Sequence, residues 1–208
     1  MIPRQEHAAD GIERLTAAWD GIGAASGLTV RRAVAADVPS VRAFMLGIFE
    51  KDFGYGYHPV WHADYDDLIG TYLENPRHTL LLVLDAASGE IVGTAGLRSG
   101  GPTRPAWLAE RYQPPDRTAQ IVRVFTHPGH RRRGIARLLV EELRRFVREI
   151  GDYDVICLHT ETAVEFWESF GGRIVHDGRT AEPPEPSIHF ELDLPPRIQA
   201  RSTLESER

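Results

Sequence analysis

The chain has 208 residues, which is the length of one domain with or without tails. Its formal net charge is −6, and this argues against general nucleic-acid binding, whose electrostatic footprint is basic. Its single cysteine, Cys157, excludes an intrachain disulfide and a zinc site built on cysteines.

No apolar run reaches the ~18 residues of a membrane helix, and no apolar signal core follows the first residues. We therefore expect a cytoplasmic protein that binds neither nucleic acid nor membrane. Residues 1–27 are predicted as an N-terminal extension, because Ile12, Leu15 and Trp19 have helical spacing and glycines then end the pattern. This extension is expected to be either a helix packed on the domain or on a partner subunit, as in a homodimer, or a partly ordered tail. The polar residues 195–208 are predicted to form a flexible tail.

The folded domain is predicted to span residues 28–194. In its first half, the patterns predict strands at Leu28–Val34, Thr79–Leu84 and Ile91–Leu97, helices from Val38 and over Asp64–Leu73, and a long loop over 99–118. The Leu- and Val-rich second and third strands are typical of burial on both faces of a sheet.

The second half alternates strands and helices. Strands are predicted at Gln120–Thr126, Val155–His159, Ile174–His176 and Ile188–Leu192, and helices at Gly134–Ile150 and Ala163–Phe170. A strand, helix and strand in succession imply a parallel crossover. The predicted class is therefore α/β, a mixed central sheet flanked by helices.

The stretch from Val124 to Ala136 carries the clearest chemistry, because a strand ends there and a helix begins at Gly134 after a short loop. Helix N-termini expose unpaired N–H groups with partial positive charge, and a pyrophosphate fits such a site. The small Gly134 and Ala136 allow a ligand to approach the backbone. Cationic charge for phosphates comes from Arg131, Arg132 and Arg133.

This stretch resembles the acetyl-CoA signature of the GNAT superfamily of N-acetyltransferases, Arg/Gln-x-x-Gly-x-Gly/Ala, which stands here as Arg131-x-x-Gly134-x-Ala136. A second stretch is similar to the family pattern Asn-x-x-Ala-x-x-Phe/Leu-Tyr-Glu-x-x-Gly-Phe. It stands here as Thr160-x-x-Ala163-x-x-Phe166-Trp167-Glu168-x-x-Gly171-Gly172. The two stretches together, with the right spacing, favour this family.

The resemblance implies a sheet whose fourth and fifth strands splay apart, with acetyl-CoA as the acyl donor between them. The pantetheine arm would lie along the fourth strand, the pyrophosphate would meet the start of the following helix, and the backbone N–H of Thr126 would polarise the thioester carbonyl. The implied donor-binding residues are Val124, Phe125, Thr126, Arg131, Arg132, Arg133, Gly134, Ile135, Ala136, Arg137, Phe166 and Trp167.

Two positions depart from the family pattern. Trp167 stands where many members have a tyrosine that protonates the leaving thiolate, and an indole N–H cannot serve as that acid. Gln120 stands where some members have a glutamate base, and glutamine can only position a water. His159 is the nearest titratable group, and it is either the base or a structural histidine at a strand end.

The acceptor site is the least specified part. Tyr55, Tyr57, His58 and Trp61 either pack in the core or line the acceptor pocket, and no metal site is expected because Pro59 interrupts the His58–His62 spacing. The resemblance implies transfer of an acetyl group to the primary amine of a small molecule by direct attack. The alternatives are a protein N-terminal or lysine acetyltransferase and a non-catalytic CoA-binding regulatory protein.

Overall fold

The computed structural model describes residues 27–181 and 186–194. A seven-stranded sheet is built from β1 (Leu28–Arg32), β2 (Thr79–Asp85), β3 (Ile91–Ser99), β4 (Thr118–Thr126), β5 (Val155–Thr160), β6 (Arg173–Asp177) and β7 (Ile188–Leu192). The strand order is β1-β2-β3-β4-β5-β7-β6, and every neighbouring pair is antiparallel except β4 with β5. The predicted tail and, apart from Gly27, the predicted N-terminal extension lie outside the described residues.

Within the described residues, four α-helices accompany the sheet: α1 (Val38–Phe53), α2 (Ala106–Arg111), α3 (Ile135–Ile150) and α4 (Val164–Glu168). The crossover from β4 through α3 to β5 is parallel, as predicted. The mixed α/β class is confirmed.

Two local predictions are wrong. The segment predicted as a helix over Asp64–Leu73 contains a 3-10 turn, Ala63–Tyr65, and a π-helical turn, Ile69–Leu73. The carboxylate of Asp64 accepts hydrogen bonds from Tyr72 and from Arg123 of β4, so contacts beyond the segment fix its path. The predicted loop over 99–118 contains α2, whose Leu108 is fully buried.

The hydrophobic core lies on both faces of the sheet. On one face, α3 packs Leu139, Leu143 and Phe146 against side chains of β2, β3 and β4. On the other face, Met45 of α1 and Tyr72 pack against β2 and β4. Because both faces are covered, the central strands are apolar on both sides, as their sequences predict.

The sheet is divided between β4 and β5. Their pairing covers only Thr118–Gln120 against Val155–Cys157, although both strands continue beyond it. Arg123 adopts a left-handed backbone conformation, φ 56°, where the register of β4 against β3 shifts. A bulge of this kind bends its strand, and the two strands part beyond Gln120. The splay implied by the resemblance is present.

Candidate active site

A cleft of about 430 Å³ occupies the space where β4 and β5 part. Seven of the residues implied in donor binding line it: Val124, Phe125, Thr126, Arg131, Ala136, Phe166 and Trp167. The loop from Arg132 to Arg137 lies next to Arg131 at the N-terminal end of α3. The cleft therefore joins the strand and the helix start that the two sequence stretches single out.

The backbone of β4 offers unpaired donors to this cleft. In an antiparallel pair, residues alternate between bonded and non-bonded positions. The N–H of His127 donates to a β3 carbonyl at 2.9 Å, so the preceding residue, Thr126, directs its N–H and carbonyl away from β3. Its carbonyl accordingly accepts a hydrogen bond from Nε of Arg131 at 3.3 Å. By the same alternation, Val124 directs its N–H toward the parted side.

The start of α3 has the geometry of an anion site. Gly134 has φ 80°, and a Cβ added there would meet no atom within 4 Å. The first bond of the helix runs from the N–H of Leu138 to the carbonyl of Gly134, so the preceding N–H groups have no partner within the helix. Ile135 is only 2% exposed, so its side chain packs in the core while its N–H remains at the loop. These features fit a pyrophosphate.

The arginines of this loop have different surroundings. Arg131 pairs with Asp52 of α1, and Arg137 donates to Ser169 Oγ at 3.0 Å and lies 4.6 Å from the Phe170 ring. Arg132, with φ 63°, and Arg133 are exposed and form no ion pair with any described residue. These two side chains are the cations available to phosphates, whereas Arg131 links the loop to α1.

The far wall of the cleft is formed by α4. Trp167 is 4% exposed and belongs to the core beneath α3, with the Phe166 ring edge-on to it at 5.0 Å. Opposite them, Thr126 Oγ1 is buried and has no hydrogen-bond partner among the described residues. A buried polar atom of this kind is normally satisfied, so the wall fits a ligand that carries polar groups.

Arg123, at the bulge of β4, anchors the opposite side of the cleft. Its Nε donates to Asp64 Oδ2 at 2.9 Å, a second nitrogen bonds the other carboxylate oxygen, and Nη2 donates to the carbonyl of Trp61 at 2.7 Å. Burial raises the pKa of Asp64, but the hydrogen bonds and charge of Arg123 outweigh this, and the net pKa is below its ordinary value. The ion pair between Arg123 and Asp64 therefore holds the bulge against the segment around Asp64.

The structure separates the four aromatic and histidine side chains predicted to bind substrate. Only Trp61 lines the cleft, and it is 59% exposed. His58 stacks on it at 4.0 Å, Tyr55 lies edge-on at 5.6 Å, and Tyr57 bonds Asp66 on the outer side. We interpret Tyr55, Tyr57 and His58 as supports of Trp61, not as part of the cleft lining.

His159 lies near the end of β5 and faces the cleft, of which it is a lining residue. The surrounding protein desolvates it, and with the neighbouring His189, Arg123 and Arg98 this lowers the pKa of His159 to about 4. The neutral imidazole therefore dominates at pH 7. A base with a pKa near ~6–7, the value expected from an unperturbed histidine, is not what this environment produces.

Gln120 lies at the vertex where the strands part. It is 3% exposed and does not line the cleft, and its Oε1 accepts a hydrogen bond from Nε of Arg98 at 3.0 Å. Arg98 and Glu161 do line the cleft. Neither residue, nor Arg123 and Asp64, is among the site residues predicted from the sequence. A charged residue inside the apolar run Ile121–Phe125 is the one signal that marks Arg123 in advance.

A second cavity, of about 410 Å³, lies between α1 and the turn that joins β2 to β3. His127 and His130 line it, with their Nδ1 atoms 3.4 Å apart. Residues 27–181 and 186–194 contain no cluster of three or more side chains suited to a metal ion. Within the same ranges, no helix has the length and apolar character needed to cross a membrane.

A family model matches the sequence that forms this site. Residues 42–171, more than half of the chain, match the model of the acetyltransferase (GNAT) family. The chain belongs to the GNAT family. It is therefore an acyltransferase, and acetyl-CoA is the acyl donor that this family uses. The sequence-based predictions of family, enzyme class and donor are confirmed at this level.

Solved structures share the GNAT fold with this chain at low sequence identity. A GNAT-family acetyltransferase of Staphylococcus aureus Mu50 has a TM-score of 0.63 and 18% identity, covering 81% of this chain and 99% of its own. FeeM, an N-acyl amino acid synthase from uncultured soil microbes, has a TM-score of 0.60 and 15% identity, covering 80% and 91%. The yncA protein of Salmonella typhimurium, solved with its cofactor acetyl-CoA, has a TM-score of 0.55 and 16% identity, covering 85% and 99%. No curated protein matches the sequence.

Proposed function

We propose that this protein transfers the acetyl group of acetyl-CoA to the primary amine of a small molecule by direct attack. The observation that carries the proposal is the single cleft between β4 and β5. Its lining includes Ala136 at the start of α3 together with Trp61, Arg98 and Glu161. We place the donor at the end next to α3 and the acceptor at the end next to the other three residues, so that the two would meet beside β4.

The donor supplies an activated acyl group, and the chain positions and polarises it. The N–H groups from Arg132 to Arg137 would hold the pyrophosphate. Of the two N–H groups that β4 directs into the cleft, that of Val124 lies nearer the vertex and follows the bulge directly. We assign the thioester carbonyl to Val124 and the pantetheine arm to Thr126, which shifts the polarising role that the sequence analysis gave to Thr126.

Proton transfer needs little help from the protein in this scheme. The acceptor reaches the cleft mostly as an ammonium and attacks after losing a proton to water. His159, with its lowered pKa, is a weak base. Trp167 cannot protonate the leaving thiolate, but a thiol with a pKa near ~8.5 leaves as an anion at a tolerable cost. The chain's main contributions are therefore orientation and polarisation of the thioester.

The enclosure of the acceptor end favours a small molecule. Arg123 donates hydrogen bonds to Trp61 and to Asp64, and these contacts close this side of the cleft. A protein N-terminus or lysine side chain remains the second substrate class, and a non-catalytic CoA-binding role is the third. The single cysteine, Cys157, is buried and reduced, which agrees with the cytoplasmic location that we also propose.

Three sets of acceptors separate these functions: small amines and amino-acid derivatives, peptides with a free N-terminus or lysine, and no acceptor at all. The release of CoA and the acetylated product would be measured for each set. We expect product with at least one small amine, at a rate well above that of the peptides. Product only with peptides would move the function to protein acetylation. Tight CoA binding without any product would favour the regulatory role.

A further inference from the structure

The charged side chains that line the cleft are paired, with two exceptions. Arg131 pairs with Asp52, and Arg123 pairs with Asp64. Arg98 and Glu161 also line the cleft, and neither forms an ion pair with any residue in 27–181 or 186–194. The cationic exception, Arg98, lies deep in the cleft beside the vertex of β4 and β5.

The guanidinium of Arg98 has N–H groups that donate to no described residue. It is half-buried on β3, and its Nε donates to Gln120 Oε1 at 3.0 Å. The Nη groups donate to no described residue, and they are not enclosed in the protein interior. A guanidinium carries five N–H donors in a planar fork that matches a carboxylate with two parallel hydrogen bonds. Half-burial makes such a pair more favourable than one on the open surface.

The groups nearest to Arg98 do not neutralise it. Gln120 has no charge. Burial raises the pKa of the Cys157 thiol to about 12, and desolvation lowers the pKa of His159, so both are neutral at pH 7. Asp64 feels the charge of Arg98, but its carboxylate oxygens bond Arg123 and Tyr72. Glu161, the other unpaired charge of the cleft, forms no ion pair with Arg98, so among the described residues the guanidinium of Arg98 has no bonded counter-charge.

We propose that the acceptor amine also carries a carboxylate, which Arg98 binds at the deep end of the cleft. The inference rests on the proposed acetyl transfer to a small amine and names its substrate class: amino acids and related amines that bear an acid group. A carboxylate carries the single negative charge that one guanidinium balances. A phosphate monoester carries about −1.5 to −2 at pH 7 and needs more cations than this end of the cleft provides.

Matched acceptors test this inference. Each of several L-amino acids would be compared with its amide and with the amine that lacks the carboxyl group, and O-phosphoethanolamine would serve as the phosphate probe. Because these amines differ in pKa, kcat/KM would be calculated on the free-amine fraction. We expect the amino acids to exceed their amides at least tenfold with the wild-type enzyme. Calorimetry with CoA present would measure binding of the same compounds without turnover.

Variants assign the preference to Arg98. Arg98→Gln should raise KM for the amino acids at least tenfold and change KM for the amides little, while CoA affinity stays constant. Arg98→Lys keeps the charge but loses the planar fork of donors. Its KM for the amino acids should lie between the values of the parent and of Arg98→Gln. Arg144→Gln is the matched control, because this half-buried arginine of α3 lies outside the cleft and, among the described residues, donates only to the carbonyl of Asp193. If Arg98→Gln does not fold, the comparison of acceptors with the wild-type enzyme still tests whether the acceptor carries a carboxylate.

The outcomes distinguish the two proposals. Equal use of acids and amides, preference for the phosphate probe, or a preference that survives Arg98→Gln would each overturn the carboxylate assignment and leave acetyl transfer intact. Arg98-dependent binding of amino acids without any CoA release would support the carboxylate site and overturn the proposed transfer. Binding of no amine by either method would overturn both.

Discussion

Arg123 and Asp64 form a buried ion pair that joins the bulge of β4 to the segment after Trp61. Their side chains are 13% and 4% exposed, and the guanidinium also lies 4.5 Å from the Tyr65 ring. The bulge is where β4 turns away from β5, and Trp61 lines the cleft. This ion pair therefore fixes the position of the two sides of the cleft relative to each other.

Breaking this pair should destabilise the protein strongly. Asp64→Asn leaves the guanidinium of Arg123 buried without its counter-charge, which costs about 3–5 kcal/mol in comparable cases. Asp66→Asn is the control: its amide oxygen can still accept the hydrogen bond from Tyr57, and its pair with Arg42 is 3.5 Å long and exposed, a kind of pair that contributes about 0–1 kcal/mol. Chemical denaturation at pH 7 would measure the free energy of unfolding. Equal, small losses for the two variants would show that the Arg123–Asp64 pair is not an anchor.

Substitutions at Gly134 test the anion site. Gly134→Gln adds bulk and backbone strain at φ 80°, and Gly134→Glu adds a negative charge of nearly the same shape. We expect the glutamate variant to lose CoA affinity at least a hundredfold more than the glutamine variant, because like charges repel at the pyrophosphate. Gly151→Glu, at φ 69° on the other end of α3, should leave CoA affinity unchanged. If calorimetry shows an unchanged CoA affinity for Gly134→Glu, the pyrophosphate does not bind at this loop.

The sequence predicts the parts of the fold that depend on local patterns. The strands, α1, α3 and the glycine at the start of α3 follow from apolar periodicity and helix-start chemistry. Arg123 shows where such reasoning ends, because its left-handed backbone and its pairing with Asp64 depend on contacts 59 positions apart in the chain. The cleft position of Arg98 likewise follows from the parting of β4 and β5, and no residue near Arg98 in sequence marks it.

Trp167 should shape the cleft without transferring a proton. It is 4% exposed and packs in the core under α3, so Trp167→Phe should lower stability by removing buried apolar surface. The maximal rate should stay within a few-fold of the parent, since an indole supplies no acid at ordinary pH. Steady-state kinetics together with a thermal melt separates the two effects. A rate loss of a hundredfold or more at normal CoA affinity would assign Trp167 a chemical role.

His159 should not appear in the pH–rate profile. Because desolvation lowers the pKa of His159 to about 4, its imidazole is neutral from pH 5 upward and contributes no step near ~6–7. His159→Gln should therefore overlay the parent profile, with the rate rising toward the acceptor's own pKa. His176→Gln is the control, as this histidine lies two strands away in the same row of rings. A loss of about 10²–10⁴-fold confined to His159→Gln would identify it as the general base.

The same shift predicts a dependence of stability on pH. The unfolded chain binds a proton at His159 near pH ~6.5, and the folded chain does so only at lower pH. The unfolded state therefore holds more protons in this window. The stability that the neutral His159 contributes is complete above about pH 6.5 and is lost as the pH falls toward 4. His159→Gln should reduce the loss of stability between pH 7 and 5. An identical loss of stability in the parent and the variant would show that folding does not lower the pKa of His159.

A crystal structure of the enzyme with CoA tests the central claim most directly, because the account depends on where the donor lies. We predict continuous density from the N–H groups at Arg132–Arg137 along Thr126, with the sulfur beside Val124 in the gap between β4 and β5. Density for CoA in the second cavity, against His127 and His130, or elsewhere outside the β4–β5 cleft, would contradict the account.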